Sequence, residues 1–390
     1  MVKPFQFARL PKILFGAGRI AELPGIIELY GKRIILVIGK NSFTRTKQAA
    51  QLFNDFEKTG IEYNLLNVSG EPSAEVIDQA VKRFNNEEIN LVVGIGGGSV
   101  IDAGKALSAM LYKKEPVKNF LESVGNKEHP GTKLPYIAIP TTSGTGSEAT
   151  KNAVISEIRK DGFKKSLRHD NFVPDIAIID PELTLQCPKN ITAASGLDCF
   201  TQLIEAYLSD KSNEYTDALA IEGLKKVKSS LVSSYENGKD IEARTGMSFA
   251  ALTSGICLAN AGLGVVHGFA SSIGGMYNIP HGTICGTLMA TCNEINVKDL
   301  RKKSDNHIAL KKYSSLGKLF LNEKGKKDDY YIDGFIQYLF NITLDFRLPG
   351  LNELGINEKD IEELCRKTDI KNNPVKLVLE DLMEILIQRL

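Results

Sequence analysis

A chain of 390 residues is long enough for two or three domains around a large core. Its 48 basic side chains against 47 acidic ones, a formal net charge of +1, exclude a global field for gathering nucleic acid or an anionic membrane, and leave small molecules and copies of itself as partners. The six cysteines form no CxxC pair, and a chain of this size needs no disulfide staples, so a reducing cytoplasm is the expected compartment. The opening stretch MVKPFQFARLPK has no continuous apolar core behind its lysine and does not read as a secretory signal.

In chain order, KRIILVIG (32–39) reads as a buried strand, TRTKQAAQLFNDFEKTG as a helix, YNLLNVSG as a strand and SAEVIDQAVKRFNNEE as a second helix. INLVVGIGGGS is a third strand, opening into glycines. This alternation predicts a parallel sheet flanked by helices. Further apolar runs follow at LPYIAIPT, AVISEI and DIAIID, and Pro181 closes the last of them. After about residue 184 the β-rich runs give way to helices, from TAASGLDCFTQLIEAYLS through YTDALAIEGLKKVKSSLVSSY and IEARTGMSFAALTSGICLAN to PVKLVLEDLMEILIQRL. KSDNHIALKKYSSLGKLFLNEKGKKDD (303–329) reads as a solvated helix and loop. The predicted architecture is an α/β dinucleotide-binding domain with a Rossmann-like parallel sheet over residues 1–184, followed by an all-α domain over 185–390. Residues 245–293 carry no Asp, Glu, Lys or Arg, but Gly, Ser, Asn, Thr and Pro280 interrupt them throughout. Buried helices around a polar site, not a membrane span, are expected there.

Two turns carry the nucleotide reading. In LVVGIGGGSVIDAGKA (91–106) a buried strand runs directly into Gly96, Gly97 and Gly98, and a helix begins near Ser99. Backbone amides unscreened by side chains, at the positive end of a helix, suit a pyrophosphate. The second turn, IPTTSGTGSEAT (139–150), follows another strand and supplies the hydroxyls of Thr141, Thr142 and Thr145. Ligands of open α/β sheets bind at the carboxyl ends of the strands, where both turns would lie. At the end of the first strand, VIGKNSF has no carboxylate to hold a free ribose. Gly39 does not repel a 2′-phosphate there, and Lys40 and Asn41 can bind one, so NADP(H) is favoured over NAD(H).

In the helical half, Asp198 and Gln202 stand four apart in GLDCFTQLIEAY and so share a helix face. Two of the chain's five histidines, His267 and His281, lie in the uncharged stretch GLGVVHGFASSIGGMYNIPHGTICG. With Asp198 they form a two-histidine, one-carboxylate set that suits Fe(II), with Zn(II) and Mn(II) also open.

Over nearly its whole length the chain resembles the iron-containing (group III) alcohol dehydrogenase family. RLPKILFGAG, GGGSVIDAGKA, PTTSGTGSEAT, DIAIIDPELT, GLDCFTQLIEAY and VHGFASSIGGMYNIPHG carry the resemblance. It implies a dehydroquinate synthase-like architecture, a divalent metal in the cleft between the domains, and hydride transfer between NAD(P)(H) and a small alcohol or aldehyde, with the metal as Lewis acid. By motif, Gly97, Gly98 and Ser99 would hold the pyrophosphate, Asp102 would lie beside the nicotinamide, Thr141, Thr142 and Thr145 would line the cleft, and Lys164 would reach the ribose. Asp198, His267 and His281 would take three of four metal positions. The chain departs from the pattern twice. The fourth metal position is Gln202 where the family usually has histidine, and Ser271 stands where a second histidine is often a proton relay. Gln202 can still offer a carbonyl oxygen, and the Ser271 hydroxyl, Tyr277 or water can still serve as relay. The resemblance also implies a homodimer or larger homo-oligomer. A glycerol-type or other polyol dehydrogenase of the same superfamily, or an NADP-binding protein impaired in catalysis by Gln202, are the alternative readings.

Overall fold

The computed structural model describes residues 4–40, 42–160, 162–303 and 307–390. Asn41 therefore lies outside the described residues. The first half contains β1 (Lys12–Phe15), α1 (Leu23–Glu28), β2 (Arg33–Gly39), α2 (Lys47–Thr59), β3 (Glu62–Val68), α3 (Ala74–Phe84), β4 (Leu91–Gly96), α4 (Gly98–Met110), β5 (Tyr136–Pro140), β6 (Asn152–Glu157), β7 (Phe163–Arg168) and β8 (Ile176–Ile179). Six strands form one sheet in the order β1-β8-β5-β4-β2-β3, every pairing parallel.

The strands are apolar on both faces because helices cover both. Ile35 and Val37 of β2 join one core while Ile34, Leu36 and Ile38 join the other, the two-residue period of a pleated strand. Helix α2 starts where Thr46 accepts a hydrogen bond from the Ala49 amide at 3.1 Å, and it stops at Gly60, whose φ of 67° suits glycine. Helix α4 lies close on the sheet because Gly94 and Gly104 leave room for the Tyr136 ring. A Cβ at either would fall 2.4 or 2.7 Å from its hydroxyl oxygen.

The second half is helical among the described residues: α5 (Lys189–Leu208), α6 (Glu214–Glu236), α7 (Ile241–Ala261), α8 (Val265–Met276), α9 (His281–Lys303), α10 (Ile308–Phe320), α11 (Asp328–Asp345), α12 (Ile361–Lys367) and α13 (Leu379–Ile387). The uncharged stretch falls on α7, α8 and the start of α9 and is built into the helical core through Cys257, Val266, Phe269, Ile284 and Cys285. No single described helix is long and apolar enough to cross a membrane. A small apolar seam of Ala149, Ala177, Ile179, Leu252 and Ile256 joins the sheet to α7.

Three details differ from the reading of the sequence. AVISEI pairs antiparallel with β7 in a separate hairpin, Asn152 against Arg168 and Glu157 against Phe163, and does not enter the parallel sheet. Its run is apolar because Ala153 and Ile155 pack down against α4. KILF, not read as a strand, is the edge strand β1. Within 303–329, α10 is amphipathic and buries Leu310, Tyr313, Leu316 and Phe320, so this stretch is solvated on one side only.

Candidate metal and cofactor site

The chain goes from β2 to β3 on one side and then crosses back past β2 to β4 on the other, so the crevice beyond the carboxyl ends of β2 and β4 is a topological switch point. Gly39 ends β2, Gly96 ends β4 and Pro140 ends β5. The Thr141 amide donates to the Gly96 carbonyl at 2.9 Å, which binds the two turns side by side. Among the described residues no side chain caps α4 at Gly97, so the first amides of that helix are left for an anion. A Cβ on Gly98 would lie 2.8 Å from the Thr145 side chain, and one on Gly97 would lie 3.5 Å from Thr142 Oγ1. The groove thus has a glycine floor and a threonine wall, with Ser99 half-buried beside it and Lys40 exposed beyond Gly39.

Beneath the groove, the Asp102 carboxylate accepts hydrogen bonds from Ser147 Oγ and, at 3.1 Å, from the Val154 amide. Burial raises its pKa above the usual aspartate value despite Lys105 nearby. Lys105, 1% exposed, donates to the carbonyls of Ser147 and Asn152, both at 2.7 Å, and burial pulls its ammonium down to about 8. These buried polar groups tie α4 to the threonine turn and to the hairpin.

The second constellation comes from α5, α8 and α9. His267 Nε2 stands 3.2 Å from Asp198 Oδ1, and His281 Nε2 stands 3.6 Å from the same oxygen. Cys285 Sγ lies 3.7 Å from His267 Nε2 and 3.8 Å from His281 Nε2. Ligand atoms of all four residues fall within 4.8 Å of one another. His267 presents its other nitrogen, Nδ1, to Glu205 Oε2 at 2.6 Å, and Glu205 Oε1 accepts from the Val266 amide at 2.7 Å. A carboxylate behind an imidazole in this way fixes the ring and leaves Nε2 free to face the cluster.

Electrostatically the pocket suits a cation. Asp198 and Glu205 are 2% and 7% exposed, a concentration of negative charge rarely buried without a positive partner. Burial alone would raise the Asp198 carboxyl, but His281 and the hydrogen bond from His267 outweigh it and hold the group at about 2. Burial also opposes charge on His267, yet Cys285, Glu205 and Asp198 keep its imidazole protonated well above the usual histidine value. Burial, with Lys164 nearby, depresses His281 to about 3. Its Nδ1 is buried and has no hydrogen-bond partner among the described residues, a cost of about 1–3 kcal/mol that a bound acceptor would relieve.

Residues 11–181 match the family described as iron-containing alcohol dehydrogenase, and residues 192–390 match the C-terminal region of the same family. The chain belongs to the iron-containing alcohol dehydrogenase family. It is 30% identical over 358 residues to the NADPH-dependent butanol dehydrogenase of Clostridium saccharobutylicum, covering 90% of this chain and 88% of that one. It is 29% identical over 389 residues to the NAD-dependent methanol dehydrogenase of Bacillus methanolicus, covering 96% and 97%. The crystal structure of an archaeal halo-thermophilic alcohol dehydrogenase from a Red Sea brine pool superimposes with a TM-score of 0.89 at 26% identity, over 100% of this chain and 99% of that one. The dehydroquinate synthase-like fold is shared with such structures.

Of the residues expected at the site, some converge and others are engaged elsewhere. Asp198, His267 and His281 meet. Gln202, one turn beyond Asp198 on α5 and 2% exposed, has its Oε1 hydrogen-bonded by Ser254 Oγ at 3.1 Å. The same serine hydroxyl lies 3.4 Å from the Gly144 carbonyl, so the threonine turn of the cofactor groove and the helix that carries Asp198 share a buried link. Ser271 spends its proton on the His267 carbonyl at 2.9 Å, one turn back along α8. Tyr277 is held by Asp360, and burial with that carboxylate pushes its phenol up to about 12. Lys164 is ion-paired to Glu71, whose other oxygen accepts from Ser156 at 2.5 Å, and its aliphatic stem packs on Gly274 of α8. The pair links the hairpin to the loop after β3, and the lysine stem links it to α8. Cys285, Glu205 and Glu71 were not singled out from sequence. For Cys285 the signal was its place four residues after His281, and for Glu205 its place seven after Asp198.

Proposed function

We propose that this chain is a metal-dependent, NAD(P)(H)-linked alcohol dehydrogenase or aldehyde reductase acting on a small, uncharged alcohol or carbonyl compound, with NADP(H) preferred. The observation that carries the reading is the convergence of Asp198, His267 and His281 beside the loop that walls the cofactor groove. These three residues would hold the divalent ion, and their buried oxygen and nitrogen donors fit one. Bound there, the ion supplies Lewis acidity to the substrate oxygen while the nicotinamide carries the hydride.

The chain's own residues do the positioning. Gly97, Gly98 and the free amides of α4 receive the pyrophosphate, Ser99, Thr141, Thr142 and Thr145 bond along the cofactor, and Asp102 braces the loop beneath the nicotinamide end. Lys164, steadied by Glu71, reaches toward the ribose. Gly39 leaves space, and Lys40 and Asn41 leave positive and polar groups, for a 2′-phosphate. Glu205 keeps His267 turned toward the cluster, and the apolar walls of α8 and α9 exclude water from it. The proton released by an alcohol would leave through water, with the Ser271 oxygen accepting a hydrogen bond from that water while its own proton stays on the His267 carbonyl. A cytoplasmic homodimer or larger homo-oligomer is the form in which we expect it to act.

Initial rates of NADPH and NADH oxidation over a panel of short aldehydes test this reading. The expected result is turnover with a higher kcat/KM for NADPH, and loss of that preference in Lys40→Ala. Faster NADH oxidation would remove the cofactor preference, and no oxidation of either with any aldehyde would remove the activity.

A further inference from the structure

The family pattern leads to Gln202 for the fourth metal position, but the geometry points to Cys285: its thiolate completes an Asp198–His267–His281–Cys285 donor set that selects Zn(II) over Fe(II). This inference rests on the metal-dependent reading above and adds a ligand and an ion to it.

The distances carry the argument. Bonds of about 2.0–2.1 Å to nitrogen or oxygen and about 2.3 Å to sulfur, at tetrahedral angles, put nitrogen and sulfur about 3.5–3.6 Å apart and nitrogen and oxygen about 3.3–3.5 Å apart. Cys285 Sγ stands 3.7 and 3.8 Å from the two Nε2 atoms, and Asp198 Oδ1 stands 3.2 and 3.6 Å from them. Four of the six donor–donor edges thus match a zinc-sized tetrahedron, and the other two, nitrogen to nitrogen and oxygen to sulfur, are within 4.8 Å, short enough for small side-chain shifts to close the set on an ion. Cys285 reaches the cluster because it lies one turn after His281 on α9, on the same face. Among the described residues its sulfur has hydrogen-bond-range contacts only within the cluster.

Gln202 is placed less well for the role. Its Oε1 is already taken by Ser254 Oγ, and a neutral amide oxygen is a poor ligand beside a thiolate for any late first-row ion. An imidazole absent at 202 and a thiol present at 285 are therefore one exchange, in which the fourth ligand comes from α9 in place of α5. On binding, the thiol proton passes to solvent and the Cys285 sulfur bonds the ion, with no change of oxidation state. Nitrogen–oxygen–sulfur sites rank Zn(II) above Fe(II), and sulfur widens the gap.

The test is a cobalt titration of the full-length protein after chelation. A thiolate bound to Co(II) gives a sulfur-to-metal charge-transfer band in the near ultraviolet, a signature that requires no turnover. The expected result is one equivalent of Co(II) with that band, its loss in Cys285→Ser and its retention in Gln202→Ala. Cys285→Ser is also expected to weaken Zn(II), measured by chelator competition, at least about 100-fold, the upper end of what outer-shell partners cost. Adding Gln202→His to Cys285→Ser should restore affinity without restoring the band. One equivalent of Co(II) bound by the wild type with no charge-transfer band overturns the thiolate assignment and leaves the metal-dependent reading standing. Failure of both Co(II) and Zn(II) to bind overturns that reading itself.

Discussion

Glu205 lies two turns along α5 from Asp198, and its carboxylate spans His267 Nδ1 and the Val266 amide. In Glu205→Gln the shape is kept and the charge lost, so the imidazole becomes a poorer donor and its orientation less fixed. Metal affinity is expected to fall about 10–100-fold, read by competition with a chromophoric chelator, and an unchanged affinity would contradict the positioning role. Glu148 bears on stability. It is 3% exposed, and burial raises its carboxyl from 4.5 to about 7. The folded state therefore holds this proton more tightly than the unfolded chain, a contribution complete below pH 4.5 and lost as pH rises through about 7. Removing the group should make Glu148→Gln gain on the wild type by on the order of 3 kcal/mol between those limits. Melting temperatures from pH 4.5 to 8 check this, and a constant difference would contradict it. At this scale the meeting of Asp198, His267 and His281 was legible, because ionisable residues inside an otherwise apolar run have few other reasons to be there. Cys285 was not, since a cysteine among Ile, Gly and Leu has the appearance of core, and Glu205 in LIEAY has the appearance of a solvated turn.

The two phosphate turns become one groove because β4 and β5 are neighbours, paired from Val92 with Tyr136 to Gly96 with Pro140. Gly98 is the tightest point. Replacing it with alanine puts a methyl 2.8 Å from Thr145, and forcing the turns apart costs about 1–3 kcal/mol. Gly98→Ala should therefore raise the NADPH dissociation constant about tenfold or more, measured by fluorescence titration, and unaltered binding would show that the cofactor does not use this turn. The main strands were legible as elements because they are apolar on both faces and bounded by glycine, proline or a helix cap. The hairpin was not separable from them. Six residues of AVISEI carry no information on whether the partner strand is β8 or the lysine-bearing β7, which is decided by the connection and by the pairing with Phe163–Arg168. For α10, the lysines along FLNEKGKKDD outweighed an apolar stripe at Leu310, Tyr313 and Leu316 that a helical period would have exposed.

Across the whole molecule, a parallel sheet supplies the groove and a helical core supplies the candidate metal ligands, and the proposed chemistry lies where they join. The seam of Ala149, Ile179, Leu252 and Ile256 and the bridge from Ser254 to Gly144 and Gln202 hold that junction in one arrangement. Full-length resemblance made the two-part architecture readable, because its motifs run from one end of the chain to the other. Substrate choice was not readable, since it depends on which side chains line the mouth of the crevice. NAD and NADP both appear among the relatives, so family membership alone does not decide the cofactor. The central claim is that a metal at the Asp198–His267–His281 cluster is required for carbonyl reduction. It is tested most directly by metal analysis of anaerobically purified protein, with NADPH-linked aldehyde reduction assayed before and after chelation and after repletion with Fe(II) or Zn(II). The account predicts close to one metal per chain, activity abolished by chelation and restored by one of the ions. Aldehyde reduction that persists at full rate in metal-free protein would contradict it.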